Sequence, residues 1–317
     1  MRRPSAGFRL AARLRIASAP YLFLSPFLLL FAVFGLVPLA FSVAMACMRW
    51  DPVEGFGSMR FVGAENFAFT LGDPWFWKSL YNTLWLSLAA GVPQHVVAIP
   101  LAYFLHRALA RTRNAIVAAY FLPYITSTVA IAILASALFS TDYGLVNDAV
   151  RSLAALPGLG SLLPAEGVDW LGSSRAVKPT VAIVVFWRYV GFNTVLYLAA
   201  LQAIPREIYE ASEIDGAGAW MRFRFITLPL LRPTMLFGVT LSVIGGLQLF
   251  EEPFILTPDG RGGPSHAAMT TAMYMYRTAF EFNDFGSASA ISWLLFAVVG
   301  ILVFVAYRWL RPRGAEA

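Results

Sequence analysis

Of 317 residues, one is cysteine, three are histidine, and only two of the 24 basic residues are lysine. The lone thiol, Cys47, excludes an intrachain disulfide and a cysteine-based zinc cluster. His95, His106 and His266 fall in separate stretches, which argues against a shared metal or catalytic centre. Lys78 follows Trp77 and Lys178 follows Val177, so neither closes the glycine-led loop that cradles nucleotide phosphates. The chain is therefore expected to bind no ATP and no cofactor of its own. Charge is scarce as well, at 13% of residues.

Apolar surface is what the sequence has in excess. Hydrophobic residues reach 58% without counting glycine, whereas a soluble domain has about 45–50% with glycine included. A water-soluble core cannot take up that surplus, so lipid is the expected solvent. The net charge of +6 sits on arginines beside apolar segments and forms no continuous basic face, so no nucleic-acid partner is expected.

The apolar residues fall into six runs, at about 21–48, 80–105, 115–139, 180–201, 233–256 and 286–308, each near the roughly 20 residues that cross hydrocarbon. The first covers 28 positions, a helix of roughly 42 Å, too long for the core of a cleaved signal. It reads as a retained transmembrane helix behind a tail, 1–20, carrying five arginines and no acid. Between the runs lie polar stretches such as TDYGLVNDAVRSL and TPDGRGGPSH, rich in turn formers. Lys and Arg number 15 in the tails and in the loops 106–114 and 202–232, against 8 in the longer stretches 49–78, 140–179 and 251–285. Cytoplasmic segments carry that excess, so both termini are expected in the cytoplasm and the loop 49–78 outside it.

The inner loop at 202–232 is built to form helix. Pro205 suits a first helical position, and Glu207, Glu210 and Glu213 suit the positive end of the helix dipole. Ile204, Ile208, Ala211 and Asp215 share a side, where the small Ala211 and Ser212 admit a close neighbour. Gly216 and Gly218 break the helix ahead of a bulkier segment with Trp220, Met221, Phe223 and Phe225.

Here the chain resembles the permease subunits of binding-protein-dependent ABC importers. Their signature is Glu-Ala-Ala, three residues, Gly, nine residues, Ile, one residue, Leu-Pro. Glu210, Ala211, Ser212, Gly216, Ile226, Leu228 and Pro229 keep every interval, with Ser212 in place of the second alanine. NTLWLSLAAGVPQ at 82–94, RNAIVAAYFLPYITSTVA at 113–130, FWRYVGFNTVLYLAALQAIP at 186–205 and FGSASAISWLLF at 285–296 extend the likeness to the sugar-uptake branch, of the maltose, lactose and glycerol-phosphate type. The resemblance implies an all-α, polytopic type I importer fold with the permease domain at 79–308 and a short cytoplasmic tail at 309–317. It also implies a bacterial inner-membrane location and a non-catalytic role. The implied partners are a second permease subunit in a heterodimer, an extracytoplasmic solute-binding protein, and two ATPase subunits that hold the ATP and Mg. The ATPase would grip Glu207, Glu210, Ala211, Ser212, Asp215 and Gly216, backed by Ile226, Leu228 and Pro229.

Polar residues inside the apolar runs are the remaining candidates, since burying them in lipid is costly. Gln94 and His95 follow Pro93; Arg188 and Asn193 lie in the fourth run; Gln248, Glu251 and Glu252 lie late in the fifth. Asn193 with Tyr197, and Gln248 with Phe250, combine an amide with an aromatic face, the mixture that sugar recognition uses. The same residues would serve as helix-to-helix hydrogen bonds. Arg188 could pair with Glu251 or Glu252, or reach for the interface. Trp50, Trp75, Trp77, Trp170 and Trp309 suit interfacial anchoring. An ion-coupled transporter using the buried charges, and a membrane transferase using outer acids, stand as the alternatives.

Overall fold

The computed structural model describes residues 21–108, 112–156, 164, 166–257 and 260–311. The tail 1–20, the end of the chain from 312 and the middle of the loop 106–114 lie outside these residues. The described helices are α1 (Tyr21–Ala46), α2 (Glu65–Gly72), α3 (Pro74–Ala108), α4 (Arg113–Ile125), α5 (Thr128–Leu138), α6 (Leu145–Ala154), α7 (Val177–Gln202), α8 (Arg206–Ile214), α9 (Ala219–Leu247), α10 (Glu251–Leu256), α11 (Thr271–Phe280) and α12 (Phe285–Leu310). A two-stranded antiparallel ribbon, Met48–Arg49 against Arg60–Phe61, stiffens the loop after α1.

Five of these helices, α1, α3, α7, α9 and α12, are each long and apolar enough to cross a membrane, and the bent pair α4 and α5 taken together meets the same test, for up to six spans among the described residues. The run 115–139, expected as one crossing, bends by 98° between Ile125 and Thr128. Pro123 has no N–H for the helix ladder, and Thr126 and Ser127 turn extended, with ψ of 147° and 135°. The Thr126 N–H and hydroxyl both donate to the Leu122 carbonyl, at 3.1 and 2.8 Å, closing the last turn of α4 at the break.

The fifth crossing is displaced from its apolar run, 233–256. It begins at Ala219, so the aromatic segment Trp220–Phe225 forms its first turns, and it stops at Leu247. Pro229 does not end the helix. A π-turn at Phe223–Thr227 shifts the hydrogen-bond register just before the proline and relieves the clash its ring would make with the preceding turn. Glu251 and Glu252 belong to the separate short helix α10.

Small residues set how closely the helices approach. A Cβ on Gly191 of α7 would collide with the Tyr120 backbone carbonyl of α4. A Cβ on Gly246 of α9 would sit 2.5 Å from the Ser87 hydroxyl of α3. Around these crossings α3, α7 and α9 enclose a buried core that includes Leu86, Ala98, Ala102, Val181, Leu198, Leu201 and Leu231. Most of α1 is exposed; only Met45 and Ala46 at its end are buried, where it meets α12 and where Asn66 of α2 donates to the Ala46 and Met48 carbonyls.

Candidate functional site

At one end of the bundle the chain between α7 and α9 makes an elbow. Pro205 stands one position earlier than expected, as the extended residue before α8, with φ −57° and ψ 137°. The helix closes at Gly216, whose φ of +78° is left-handed. The Gly216 N–H donates to the Glu213 carbonyl at 3.0 Å and the Ala217 N–H to the Ser212 carbonyl at 2.9 Å, the paired bonds that satisfy a helix's last acceptors. Gly218 is extended, with φ −67°, and needs no glycine on backbone grounds.

One face of the elbow is rooted. The Tyr209 hydroxyl reaches across the turn to Thr227 at 3.0 Å, and Glu213 forms an ion pair with Arg222. Ser212 is buried and donates to the Tyr209 carbonyl at 2.7 Å. The departure from the signature therefore falls on the inward face, where a hydroxyl can bond its own helix. Leu228, Ile204 and Phe223 pack on the core between α3 and α7, and the Phe223 ring lies 5.0 Å from that of Tyr103 on α3. Ile226 is half-buried and Pro229 exposed. The opposite face is open: Glu207, Ile208, Glu210, Ala211, Ile214 and Asp215 are all exposed. Ile214, at 88%, is an apolar residue that this chain alone leaves in solvent.

Midway along the bundle a cavity of about 230 Å³ opens between α3, α4, α7 and α9. Its polar lining comes from Ser87, Gln94, Asn193 and Ser242, and its aromatic wall from Tyr124, Tyr189 and Phe192. Asn193 donates to the Gln94 side-chain oxygen at 3.2 Å, while its own Oδ1 is buried and finds no partner among the described residues. Tyr124 stacks on Phe192 with ring centres 4.6 Å apart. Of the four residues expected along a substrate path, only Asn193 reaches this cavity. Tyr197 is fully buried in the core and bonds His95 at 2.7 Å. Gln248 is exposed past the end of α9, and Phe250 stacks on Phe254 and lies tilted against Tyr276. Sequence reading missed Ser87, Gly91, Tyr124 and Ser242. The first two lie seven and three residues before Gln94, on its own helical face.

Beside the cavity, Arg188 and Glu252 form a buried ion pair at 2.5 Å, and the Tyr189 hydroxyl donates to the same carboxylate at 3.4 Å. Glu251, one residue away, is exposed. At the end of the bundle opposite the elbow, Asn82 donates to the carbonyls of His266 and Met269, and Thr83 bonds Thr271, tying the stretch 260–271 onto α3. Trp170 donates to the buried Asn147 at 2.9 Å and Trp77 to the Leu71 carbonyl at 2.8 Å, so these indoles brace their loops.

Five membrane-long helices and a bent helix pair, a polar-lined hollow between them and a rooted helical elbow at one end belong to a membrane protein that moves a solute. Residues 76–315 match the family described as binding-protein-dependent transport system inner membrane component. The chain belongs to that family, and it is the non-catalytic permease subunit of an ATP-driven importer. It is 35% identical to the lactose transport system permease protein LacF of Rhizobium radiobacter over 92% of this chain and 94% of that protein. It is 32% identical to the arabinooligosaccharides transport system permease protein AraP of Bacillus subtilis, over 92% and 88%. The crystal structure of a bacterial ABC transporter that imports the acidic polysaccharide alginate shares the fold, with a TM-score of 0.78 at 24% identity over 96% of this chain and 98% of that one. The ion-coupled alternative finds no support among these relatives.

Proposed function

We propose that this permease carries a carbohydrate across a bacterial inner membrane, with both termini in the cytoplasm, as one half of a heterodimeric pathway. In this reading the α8 elbow docks into a separate ATPase subunit, one of two that bind ATP and Mg. An extracytoplasmic binding protein delivers the solute at the opposite end.

The observation that carries the reading is the two-faced elbow. Its open face, Glu207, Glu210, Ala211 and Asp215, is exposed to solvent, while Tyr209 and Glu213 fasten the elbow to Thr227 and Arg222 of α9. A force applied to that face reaches α9 as a rigid-body motion, the mode by which helix bundles alternate between two openings. Ile226, Leu228 and Pro229 support the elbow from the start of the crossing. The amide and aromatic lining around Asn193, and the lactose and arabinooligosaccharide relatives, favour a sugar as cargo.

In a Cys47→Ala background, Ala211→Cys is expected to crosslink to the ATPase in native membranes, and Glu210→Lys to abolish sugar uptake while leaving the protein inserted. Full uptake by the Glu210→Lys complex, or an Ala211→Cys variant that never captures an ATPase, would overturn the docking.

A further inference from the structure

A second, lateral hollow lies on the outer surface of the bundle. It is an apolar groove of about 520 Å³ between α9 and α12, lined by Pro233, Leu236, Phe237 and Thr240 on one side and Gly300, Val303, Phe304 and Tyr307 on the other. Both sets follow the spacing of a single helix face. Phe237 and Phe304 are exposed by 55% and 62%. At Gly300 an added Cβ would meet nothing within 4 Å, so the groove is an open slot running along the bundle.

The charge at its mouth is one-sided. Arg232 lies one turn before Leu236, Arg308 one turn beyond Phe304 and Arg311 one turn beyond Tyr307, with the Arg311 guanidinium 5.9 Å from the Tyr307 ring. Arg232 and Arg308 are exposed. From Ala217 to Phe250, and from Phe285 to Arg311, neither crossing contributes an Asp or Glu. An apolar slot ending in clustered cations complements one kind of molecule in a membrane: a hydrocarbon chain that carries a phosphate at its end.

We propose that this groove holds an acyl chain of an anionic glycerophospholipid, with Arg232, Arg308 and Arg311 around its phosphate. The lipid fills the gap between the elbow-bearing crossing and the last crossing, a gap that a zwitterionic lipid would fill less tightly. Each arginine near such a headgroup contributes enough for about a fivefold change in retention.

The test uses the complete transport complex, purified in mild detergent and exposed to synthetic phosphatidylglycerol or phosphatidylcholine of equal chain length, with bound lipid read by native mass spectrometry. Wild type should retain phosphatidylglycerol in preference to phosphatidylcholine. Arg232→Gln with Arg308→Gln should remove that preference, and Gly300→Leu, whose Cβ meets no neighbour and whose side chain adds bulk to the slot, should lower retention of both lipids. Equal retention of the two lipids by wild type, or a preference untouched by all three substitutions, would overturn the assignment. So would efficient crosslinking of Gly300→Cys to the second permease in membranes, because a protein would then occupy the groove.

Discussion

Gly216 isolates a backbone effect from a packing effect. Its φ of +78° is left-handed, yet a Cβ there would touch nothing within 4 Å. Alanine at this position costs about 1 kcal/mol in conformation alone, whereas asparagine visits the region more readily. Uptake should fall more for Gly216→Ala than for Gly216→Asn, with equal membrane levels of both; transport assays in cells with matched expression read the difference. The Arg188 and Glu252 pair poses the opposite problem, a charge balance sealed from water. Removing one partner strands the other, at about 3–5 kcal/mol, whereas replacing both with apolar side chains removes the burden. Thermal unfolding of the purified complex should show Glu252→Leu strongly destabilised and the double variant Arg188→Met, Glu252→Leu close to wild type. A double-variant loss equal to the sum of the losses in Glu252→Leu and Arg188→Met alone would mean the pair contributes nothing as a pair.

Between elements, the contacts of single glycines decide which helices can meet. Gly246 faces a side chain, the Ser87 hydroxyl, so Gly246→Ala should destabilise the α3 and α9 crossing and Ser87→Gly should restore it. Gly191 faces the Tyr120 backbone carbonyl, which no side-chain substitution can withdraw, so Gly191→Ala should resist such rescue. Thermal inactivation of these variants in detergent separates the two cases. Away from the elbow, α11 is held to the start of α3 by the Tyr274 hydroxyl, which donates to the Asp73 carboxylate. Burial first, then that carboxylate, raise the Tyr274 phenol above its ordinary value, so it remains a donor across the physiological range. Asn147 does comparable work in the loop before α7. It donates to the Ser140, Thr141 and Val168 carbonyls and accepts from the Val168 N–H and the Trp170 indole.

For the whole molecule, sidedness is the prediction that charge counting makes and that geometry makes testable. With Cys47 replaced by alanine, a cysteine at exposed Ala211 and one at exposed Ser174 lie at opposite ends of the bundle. An impermeant maleimide should label Ser174→Cys in intact cells or spheroplasts, and Ala211→Cys only after the membrane is permeabilised. Labelling of Ala211→Cys from outside, with Ser174→Cys protected until the membrane is permeabilised, would reverse the orientation and with it overturn the proposed docking to an ATPase.

The five long apolar helices and the elbow were legible in the sequence, because hydrocarbon thickness demands apolar runs of a set length and because Gly216 and the helix before it act through local backbone preference. Composition likewise fixed lipid as the solvent, independent of how the helices are arranged. The bend between α4 and α5 was less visible: Pro123 marks it, but the apolar run continues through it, so hydropathy alone reads one straight helix. The early start of α9 was hidden for a related reason, since Pro229 looks like a stop until a π-turn accommodates it. What only tertiary structure decided is which buried polar groups meet. Tyr197 and Asn193 lie one turn apart on α7, yet one is sealed in the core against His95 and the other lines the cavity beside Gln94. Arg188 chose Glu252 over Glu251 because the break after Leu247 turns one carboxylate inward and leaves its neighbour exposed. Helical periodicity assigns a residue to a face; only the packing of neighbouring helices determines whether that face meets core, cavity or lipid.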